Sequence, residues 1–348
     1  MYTHHAQVLS NDIGAAPDVA ALVGFSQRLP AVLVQMVQDG VASGDAVYTL
    51  SQCGQAITQR LLVLAEARFG SPPIPYAFIV AGSMGRNEQS AHSDQDNAMI
   101  LADTFQPAVH DAYFLQVAQF VSDGLAACGY VYCPGNIMAT NPQWRQPLHV
   151  WQAQFRHWIE TPEPLALLNA TIFFDLRGIY GEASLWHDLR DDLLARTHSH
   201  ALFQILLAEN ARSFHPPLRF WGGFSSQRNR NGEKVIDLKK GGVVPVIDMA
   251  RVYALAQGLP EVNTAARLLA LASHGVMNAG DAHDLIEALA CIGGLRLQHQ
   301  VRQIQQGIAP DNLLLLADLS KEERHHLKAM FKVVAGLQEA MFRHYCVN

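Results

Sequence analysis

Two aspartates, Asp94 and Asp96, lie two positions apart directly before an apolar run, and a Gly82-Ser83 pair precedes them by ten intervening residues. If the pair begins a strand, both carboxylates face the same side, about 7 Å apart along the chain. Such like charges repel unless a cation neutralises them, and Mg²⁺ is commonly held by one or two carboxylates together with substrate phosphate oxygens. Glycine has no Cβ, so backbone N–H groups at a Gly-Ser turn can approach a phosphate closely. The pattern indicates metal-assisted phosphoryl or nucleotidyl transfer.

A third acid, Asp175, stands in the apolar segment "TIFFDLRGIYG", which we predict to be a strand with Thr171, Phe173, Asp175 and Arg177 on one face. By itself, an acid pair after a loop is commonly a solvated turn or a helix N-cap. The combination favours a site, because a strand, Gly-Ser, Asp-x-Asp, a second strand and a third acid follow one another in order.

The elements around these residues predict an α+β fold. Apolar spacing indicates helices over residues 18–69, with breaks at Pro30 and at 42–44. We predict buried strands at "YAFIVAG" and "NAMILAD", and a helix over 107–129 with Gly129 as its C-cap.

The C-terminal half has helical spacing over 200–214, 246–257, 264–274 and 281–307. Ser320 and Glu323 form a capping box for a last helix. We predict that the polar, glycine-rich stretch "WGGFSSQRNRNGEKVIDLKKGG" is a loop between helices. The expected parts are an N-terminal helical segment, a mixed-sheet domain and a C-terminal helical domain, at residues 1–70, 71–190 and 191–348.

Composition excludes several classes of protein. Hydrophobic residues make up 49% and charged residues 16% of the 348, which is typical of a globular chain with a large interior. The five cysteines never form C-x-x-C, so neither a disulfide framework nor a zinc site is indicated. A formal charge of −6 gives no electrostatic footprint for tracking nucleic acid. Without an apolar run of bilayer-spanning length or a signal-peptide pattern, we expect a cytoplasmic protein that contacts no membrane.

The segment "GSMGRNEQSAHSDQDNAMIL" resembles the DNA polymerase β-like nucleotidyltransferase superfamily, whose signature is Gly-Ser, a gap and Asp-x-Asp on the next strand. More narrowly it resembles the DUF294 group, relatives of the protein-PII uridylyltransferase. The resemblance continues in "CPGNIMATNPQWR", in "IFFDLRGIYGEASLW" and in "DLKKGGVVPVIDMARVYAL", the last of which is similar to the DUF294 C-terminal domain. Gln95 departs from the wider superfamily, where this position is often apolar, but it suits the narrower group.

The resemblance implies a small mixed sheet flanked by helices, followed by a C-terminal helical bundle. It implies that Asp94, Asp96 and Asp175 are the catalytic carboxylates and that Gly82 and Ser83 hold the phosphates of an NTP. Asp94 and Asp96 would hold two Mg²⁺ ions, and Asp175 would complete the second metal site or take the proton of the hydroxyl. A hydroxyl of the acceptor would attack the α-phosphate in line, and pyrophosphate would leave.

Basic residues near these motifs have two interpretations each. Arg86 would neutralise triphosphate charge, or Arg86 and Glu88, two positions apart, would simply pair with the fold around them. Arg177 would orient the third acid, bind phosphate or form a structural salt bridge. Lys239 and Lys240 resemble the lysine-glycine motif of the uridylyl- and adenylyltransferases of nitrogen regulation, and we expect them to contact the nucleotide rather than only to form a solvated turn.

Two asparagines, Asn136 and Asn141, lie in a Pro/Gly-rich stretch and would read a base or ribose edge or, more commonly, stabilise the turn. The tryptophans that we predict to lie in the core or at a domain interface are Trp144, Trp151, Trp158 and Trp221.

We therefore expect Mg²⁺-dependent transfer of a nucleoside monophosphate from ATP or UTP to a hydroxyl of a protein or small molecule, in signal transduction. One alternative is a catalytically silent nucleotide sensor, against which the intact set of three acids argues. Another is an RNA-directed nucleotidyltransferase, against which the acidic charge and the lack of an aromatic-basic stripe argue. Relatives often carry CBS or cyclic-nucleotide-binding regulatory domains, and none is visible in this sequence. Regulation would come from a separate partner or from further parts of a longer protein.

Overall fold

The structure is a computed structural model that describes residues 11–162, 171–219 and 223–346. The chain divides into two compact units. The first is made of residues 1–36, 45–158 and 170–193, and the second of residues 37–44, 159–169 and 194–348. Trp221, which we predicted to be a core or interface residue, lies outside the described residues.

A four-stranded mixed sheet organises the first unit, in the order β3-β2-β1-β4. Its strands are β1 Tyr76–Val80, β2 Asn97–Leu101, β3 Arg145–Pro147 and β4 Arg177–Gly181. β1 pairs antiparallel with β2 and with β4, and β2 pairs parallel with β3. Every residue of β1 and β2 is buried, which explains why their sequences are apolar at consecutive positions rather than at alternate ones. The two predicted strands are confirmed.

Helices cover this sheet, and one core joins them to the central strands. Leu61, Phe78, Met99 and Phe114 belong to the same buried cluster. Cys128 is the C-cap of the helix Pro107–Ala127, and Gly129, which we predict to be the cap, is the next residue, with φ 93°. The helices that lie wholly or mostly in this unit are Val19–Ser26, Leu29–Gln38, Ser43–Phe69, Pro107–Ala127, Leu148–Glu160 and Ala183–Ser199.

One apolar segment among the described residues, Val19–Gln38, is long and apolar enough to cross a membrane by length and composition alone, with a mean hydropathy of 1.3. This corrects the prediction that no apolar run reaches that length. The segment consists of two short apolar helices that follow one another, separated by the turn at Gln27 and Arg28. Leu22 of the first helix packs in the core of the unit. Both core helices of soluble proteins and signal sequences reach this length and hydropathy, and this segment lies near the N-terminus with 22% of it buried.

The strand predicted over "TIFFDLRGIYG" is wrong in its first half, because Thr171–Asp175 form a 3-10 helix and β4 begins at Arg177. Consecutive aromatic residues account for the difference. The ring of Phe173 lies 4.3 Å from that of Trp144, and the ring of Phe174 lies 5.7 Å from that of Phe155. Both phenylalanines are buried against one aromatic cluster, whereas a strand would direct them to opposite faces.

The second unit is mainly helical, and the predicted helices are present. The capping box is confirmed, since Ser320 N–H donates to Glu323 Oε2 at 2.8 Å and Glu323 N–H donates to Ser320 Oγ at 3.1 Å. The α-helices described wholly within this unit are Ala201–Asn210, Val244–Ala256, Thr264–Ser273, Ala279–Gln305 and Lys321–Cys346.

The glycine-rich stretch between these helices is not only a loop, which corrects the prediction. It contains β5 Gln227–Arg228 and β6 Lys234–Asp237, which form a three-stranded sheet with β7 Leu313–Leu315. Val235 and Ile236 are buried by this pairing. The partner strand is almost eighty residues away in the sequence, so the local pattern carries no sign of it.

A one-turn helix, Gly82–Gly85, follows β1; we call it the Gly82 turn. It packs closely on the 3-10 helix Thr171–Asp175. A Cβ on Gly85 would lie 2.0 Å from the backbone carbonyl oxygen of Asp175 and 3.1 Å from that of Val80. The absence of a side chain at Gly85 is therefore what lets the two segments meet.

We expect Gly85→Ala to lower the free energy of unfolding by about 3 kcal/mol, because backbone must move to relieve the overlap. Gly24→Ala is the matched control, since Gly24 is exposed in the helix Val19–Ser26 and a Cβ there meets nothing within 4 Å. It should stabilise by about 0.5–1 kcal/mol. Chemical denaturation followed by circular dichroism measures both changes, and equal stabilities of the two variants would contradict the packing argument.

Candidate active site

The residue between the two aspartates shows which way they face. Gln95 is buried, and its side-chain amide donates to the backbone carbonyls of Ser122 and Tyr130, each at 2.9 Å. Alternate residues of an extended chain point in opposite directions. Gln95 thus anchors the segment in the interior while Asp94 and Asp96 face the other way, together.

A second segment, residues 131–139, lies alongside the acid pair and holds its backbone. Gln95 N–H donates to the Val131 carbonyl at 2.9 Å, and Asn97 N–H donates to the Ile137 carbonyl at 3.1 Å. The side chain of Asn97 in turn accepts from Ala139 N–H at 2.9 Å. These bonds fasten the segment to the chain on both sides of the second aspartate.

This segment brings a third group to the site. One carboxylate oxygen each from Asp94 and Asp96 and the Cys133 sulfur all lie within 4.8 Å of one another. Burial, together with the charge of Asp96 and a hydrogen bond to that carboxylate, raises the pKa of the Cys133 thiol to about 11. The thiol is therefore neutral near pH 7 and donates to Asp96.

Sequence reasoning missed Cys133. A single cysteine without a partner at ligand spacing gives no metal signal. The only available hint is its position at the head of the motif "CPGNIMATNPQWR".

The Gly82 turn contacts the acid pair from the other side. Gly82 has φ 57°, and a Cβ there would lie 2.8 Å from Asp96 Oδ2 and 3.2 Å from Ile172 Cδ1. Ala81 N–H donates to the Asp96 carbonyl at 2.9 Å. The first N–H groups of a helical turn have no acceptor within it. The turn therefore places backbone donors close to Asp96, and Ser83 within it is half-buried.

Asp175 is fully buried at the end of its 3-10 helix, next to the Gly82 turn. Its Oδ2 accepts from Arg86 Nη1 at 2.6 Å, and Arg86 Nε also contacts Glu88 Oε2 at 2.8 Å. Of the two interpretations of Arg86, the structure shows the pairing, and contact with phosphate stays a prediction. In the described part of the chain, the group of metal-ligand atoms comprises Asp94, Asp96 and Cys133 and does not include Asp175. A role for Asp175 as a ligand stays a prediction as well.

Arg177 acts on the turn rather than on the third acid. Its guanidinium donates to the carbonyls of Gly85 and Met84, at 3.1 and 3.2 Å, and to the side chains of Asn87 and Gln55, at 2.8 and 2.6 Å. Burial lowers the pKa of Arg177. All four acceptors are neutral, so Arg177 forms no salt bridge with them. Its hydrogen bonds to Met84 and Gly85 fix the C-terminal end of the Gly82 turn.

Lys239 and Lys240 lie in the second unit, in a π-helical turn that precedes the helix Val244–Ala256. Both are exposed, and the backbone N–H of each donates to Asp237 Oδ1 at 2.9 Å. Gly242 packs closely here, since a Cβ would lie 2.6 Å from Ile292 Cγ2. Their predicted contact with the nucleotide stays a prediction.

The asparagines of the 131–144 region stabilise turns. Asn136 adopts φ 55°, and its carbonyl accepts from the Asn141 amide at 3.2 Å and from Trp144 Nε1 at 3.1 Å. Trp151 and Trp158 lie with Trp144 in the buried aromatic cluster, which confirms the prediction of core tryptophans.

The donor set of Asp94 and Asp96 suits a divalent cation. Two carboxylates held this closely repel one another, and a hard cation offsets that repulsion while taking the remaining oxygen ligands from substrate phosphate. The Gly82 turn lies against Asp96, and phosphate binding by this turn stays a prediction.

A small mixed sheet with paired acids at the start of one strand and a glycine turn at the end of its neighbour defines the nucleotidyltransferase class. Residues 27–165 match the family model described as "Putative nucleotidyltransferase DUF294", and residues 201–345 match the one described as "Putative nucleotidyltransferase substrate binding domain". No curated protein matches the chain. The chain belongs to the DUF294 nucleotidyltransferase family, and the resemblance noted from its motifs is confirmed.

We expect opposite effects on stability from two acid-to-amide changes in metal-free buffer. Asp94→Asn removes like-charge repulsion and should raise the free energy of unfolding by about 1 kcal/mol. Asp175→Asn weakens a buried ion pair and should lower it by about 3 kcal/mol. Chemical denaturation in the presence of a chelator tests both changes, and a loss of stability in Asp94→Asn would contradict the repulsion argument.

Added Mn²⁺, used as a probe for Mg²⁺ sites, should raise the melting temperature of the wild-type protein and not that of Asp94→Asn, because a ligand stabilises only the state that binds it. Asp188→Asn, which changes an exposed carboxylate of the helix Ala183–Ser199, is the matched control and should respond like the wild type. Thermal melts with and without Mn²⁺ measure the response. An equal rise in all three proteins would place the cation elsewhere.

Proposed function

We propose that this protein is a Mg²⁺-dependent nucleotidyltransferase that moves a nucleoside monophosphate from ATP or UTP to a hydroxyl of a protein or small molecule, in the manner of the protein-PII uridylyltransferase. We also propose that it acts in the cytoplasm, in signal transduction. The observation that carries the proposal is the contact between the Gly82 turn and Asp96, because it joins a phosphate-binding turn to a carboxylate pair.

The residues divide the work between them. Asp94 and Asp96 would hold the cations, and the N–H groups of the Gly82 turn with the Ser83 hydroxyl would hold the outgoing phosphates. When bound, two Mg²⁺ ions neutralise the triphosphate and lower the pKa of the attacking hydroxyl. Gln95 and Arg177 would keep the acids and the turn in register through their buried hydrogen bonds.

We propose that Asp175 is the third carboxylate, completing the cation site or accepting the proton of the hydroxyl. Its buried pair with Arg86 holds it close to the turn. Either role requires the Asp175 carboxylate to turn from the guanidinium. Arg86, once released from Asp175, would meet triphosphate charge.

Pyrophosphate release tests the proposal. The protein is incubated with Mg²⁺ and each NTP, alone and with candidate hydroxyl acceptors. We expect release with ATP or UTP that falls more than about 100-fold in Asp96→Asn, because even partners outside the ligand shell change metal-site function by about 10- to 100-fold. Asp188→Asn should release pyrophosphate at the wild-type rate, since its carboxylate is exposed on a helix.

Nucleotide binding without release, measured by calorimetry under the same conditions, would overturn the proposal in favour of a nucleotide sensor. Binding of RNA in a gel shift at moderate salt, with nucleotide addition to that RNA, would redirect the acceptor from a protein or small molecule to RNA.

A further inference from the structure

Cys133 stands against the acid pair and has no part in the nucleotidyl transfer proposed above. Its sulfur, with one oxygen each from Asp94 and Asp96, forms a group of three donors within 4.8 Å. The group therefore combines two carboxylates with one thiol. The family match independently assigns these aspartates to a nucleotidyltransferase domain, a class that works with divalent cations.

The thiol is held in place by backbone as well as by burial. Val131 and Ile137, on either side of Cys133, accept hydrogen bonds from residues on either side of Asp96. Asn136 N–H donates to the Cys133 carbonyl at 2.9 Å, which closes a turn around the cysteine. Cys133 is buried, with 8% of the residue exposed.

The donor chemistry differs from that of an oxygen-only site. Mg²⁺ takes oxygen ligands, whereas Zn²⁺ and similar transition-metal cations bind both thiolate and carboxylate. Ligands around one Zn²⁺ lie roughly 3 to 4 Å from one another, given bonds of about 2.0 to 2.3 Å. A side-chain shift of about 1 Å would bring all three atoms onto one ion.

We propose that Asp94, Asp96 and Cys133 form a mixed carboxylate–thiolate site for a thiophilic divalent cation of the Zn²⁺ class, which competes with Mg²⁺ for the two carboxylates. On binding, the thiol proton passes to solvent and the sulfur electron pair forms the bond to the cation. The binding site itself stands on geometry. Its consequence, inhibition of transfer by Zn²⁺, rests on the proposed function.

Co²⁺ titration of the metal-free protein tests the site without any catalytic assay. Co²⁺ is the probe because thiolate coordination gives it a charge-transfer absorption in the near ultraviolet that oxygen ligands do not. We expect this absorption in the wild-type protein, its loss on adding Zn²⁺, and its absence in Cys133→Ala and in Asp96→Asn.

Cys128→Ala is the matched control, because Cys128 is 7% exposed against 8% for Cys133 and lies outside the donor group. It should keep the absorption. Cys133→Ser provides a second variant, which preserves a hydrogen-bond donor toward Asp96 if the alanine variant does not fold. Absorption that survives in a folded Cys133 variant, or Co²⁺ bound by the wild type without it, would overturn the proposal.

Inhibition gives a second, separable readout. With each rate normalised to that of the same protein in Mg²⁺ alone, the Zn²⁺ concentration for half-inhibition of pyrophosphate release should rise about 10- to 100-fold in Cys133→Ala and stay unchanged in Cys128→Ala. An unchanged value in Cys133→Ala would remove the regulatory consequence. If no protein releases pyrophosphate, the proposed function fails, and the Co²⁺ spectra still decide whether the site exists.

Discussion

The close approach of one glycine turn to two distant segments is the constraint on which the site depends. At Gly82 the direction that a Cβ would take points at Asp96 Oδ2, and at Gly85 it points at the backbone carbonyl of Asp175. A side chain at either position would push the turn away from Asp96 and Asp175. Arg177 reinforces the arrangement, because its guanidinium binds the carbonyls at the end of the same turn.

The close approach of Asp94 and Asp96 is unfavourable, and the surrounding structure offsets this cost. Their carboxylates repel one another, and Gln95, between them, has its side-chain amide buried. Gln95 satisfies its amide nitrogen on two carbonyls, and backbone bonds to the 131–139 segment fix the strand start. Functional sites commonly contain such locally unfavourable arrangements. Here the buried strands β1 and β2, which adjoin the acid pair, stabilise it.

Local signals predicted most of the elements. The positive-φ glycine after the helix Pro107–Ala127, the reciprocal bonds of Ser320 and Glu323, and the two central strands depend on residues a few positions apart, and each is present. The failures share one cause. Thr171–Asp175 form a 3-10 helix because two consecutive phenylalanines pack on aromatic residues from other elements. Lys234–Asp237 form the strand β6 because β7 pairs with them. Neither partner is visible in a local pattern.

The sequence by itself determined which reactive groups the chain has and which family it belongs to. These groups are a Gly-Ser pair and an Asp-x-Asp pair whose carboxylates face one way, and the motifs around them are those of the family. The backbone period of a strand and the missing Cβ of glycine suffice for that much. Only the tertiary structure decided which groups complete the site. It brought Cys133 to the acids and paired Asp175 with Arg86, because both contacts join residues far apart in sequence whose distance is set by packing alone.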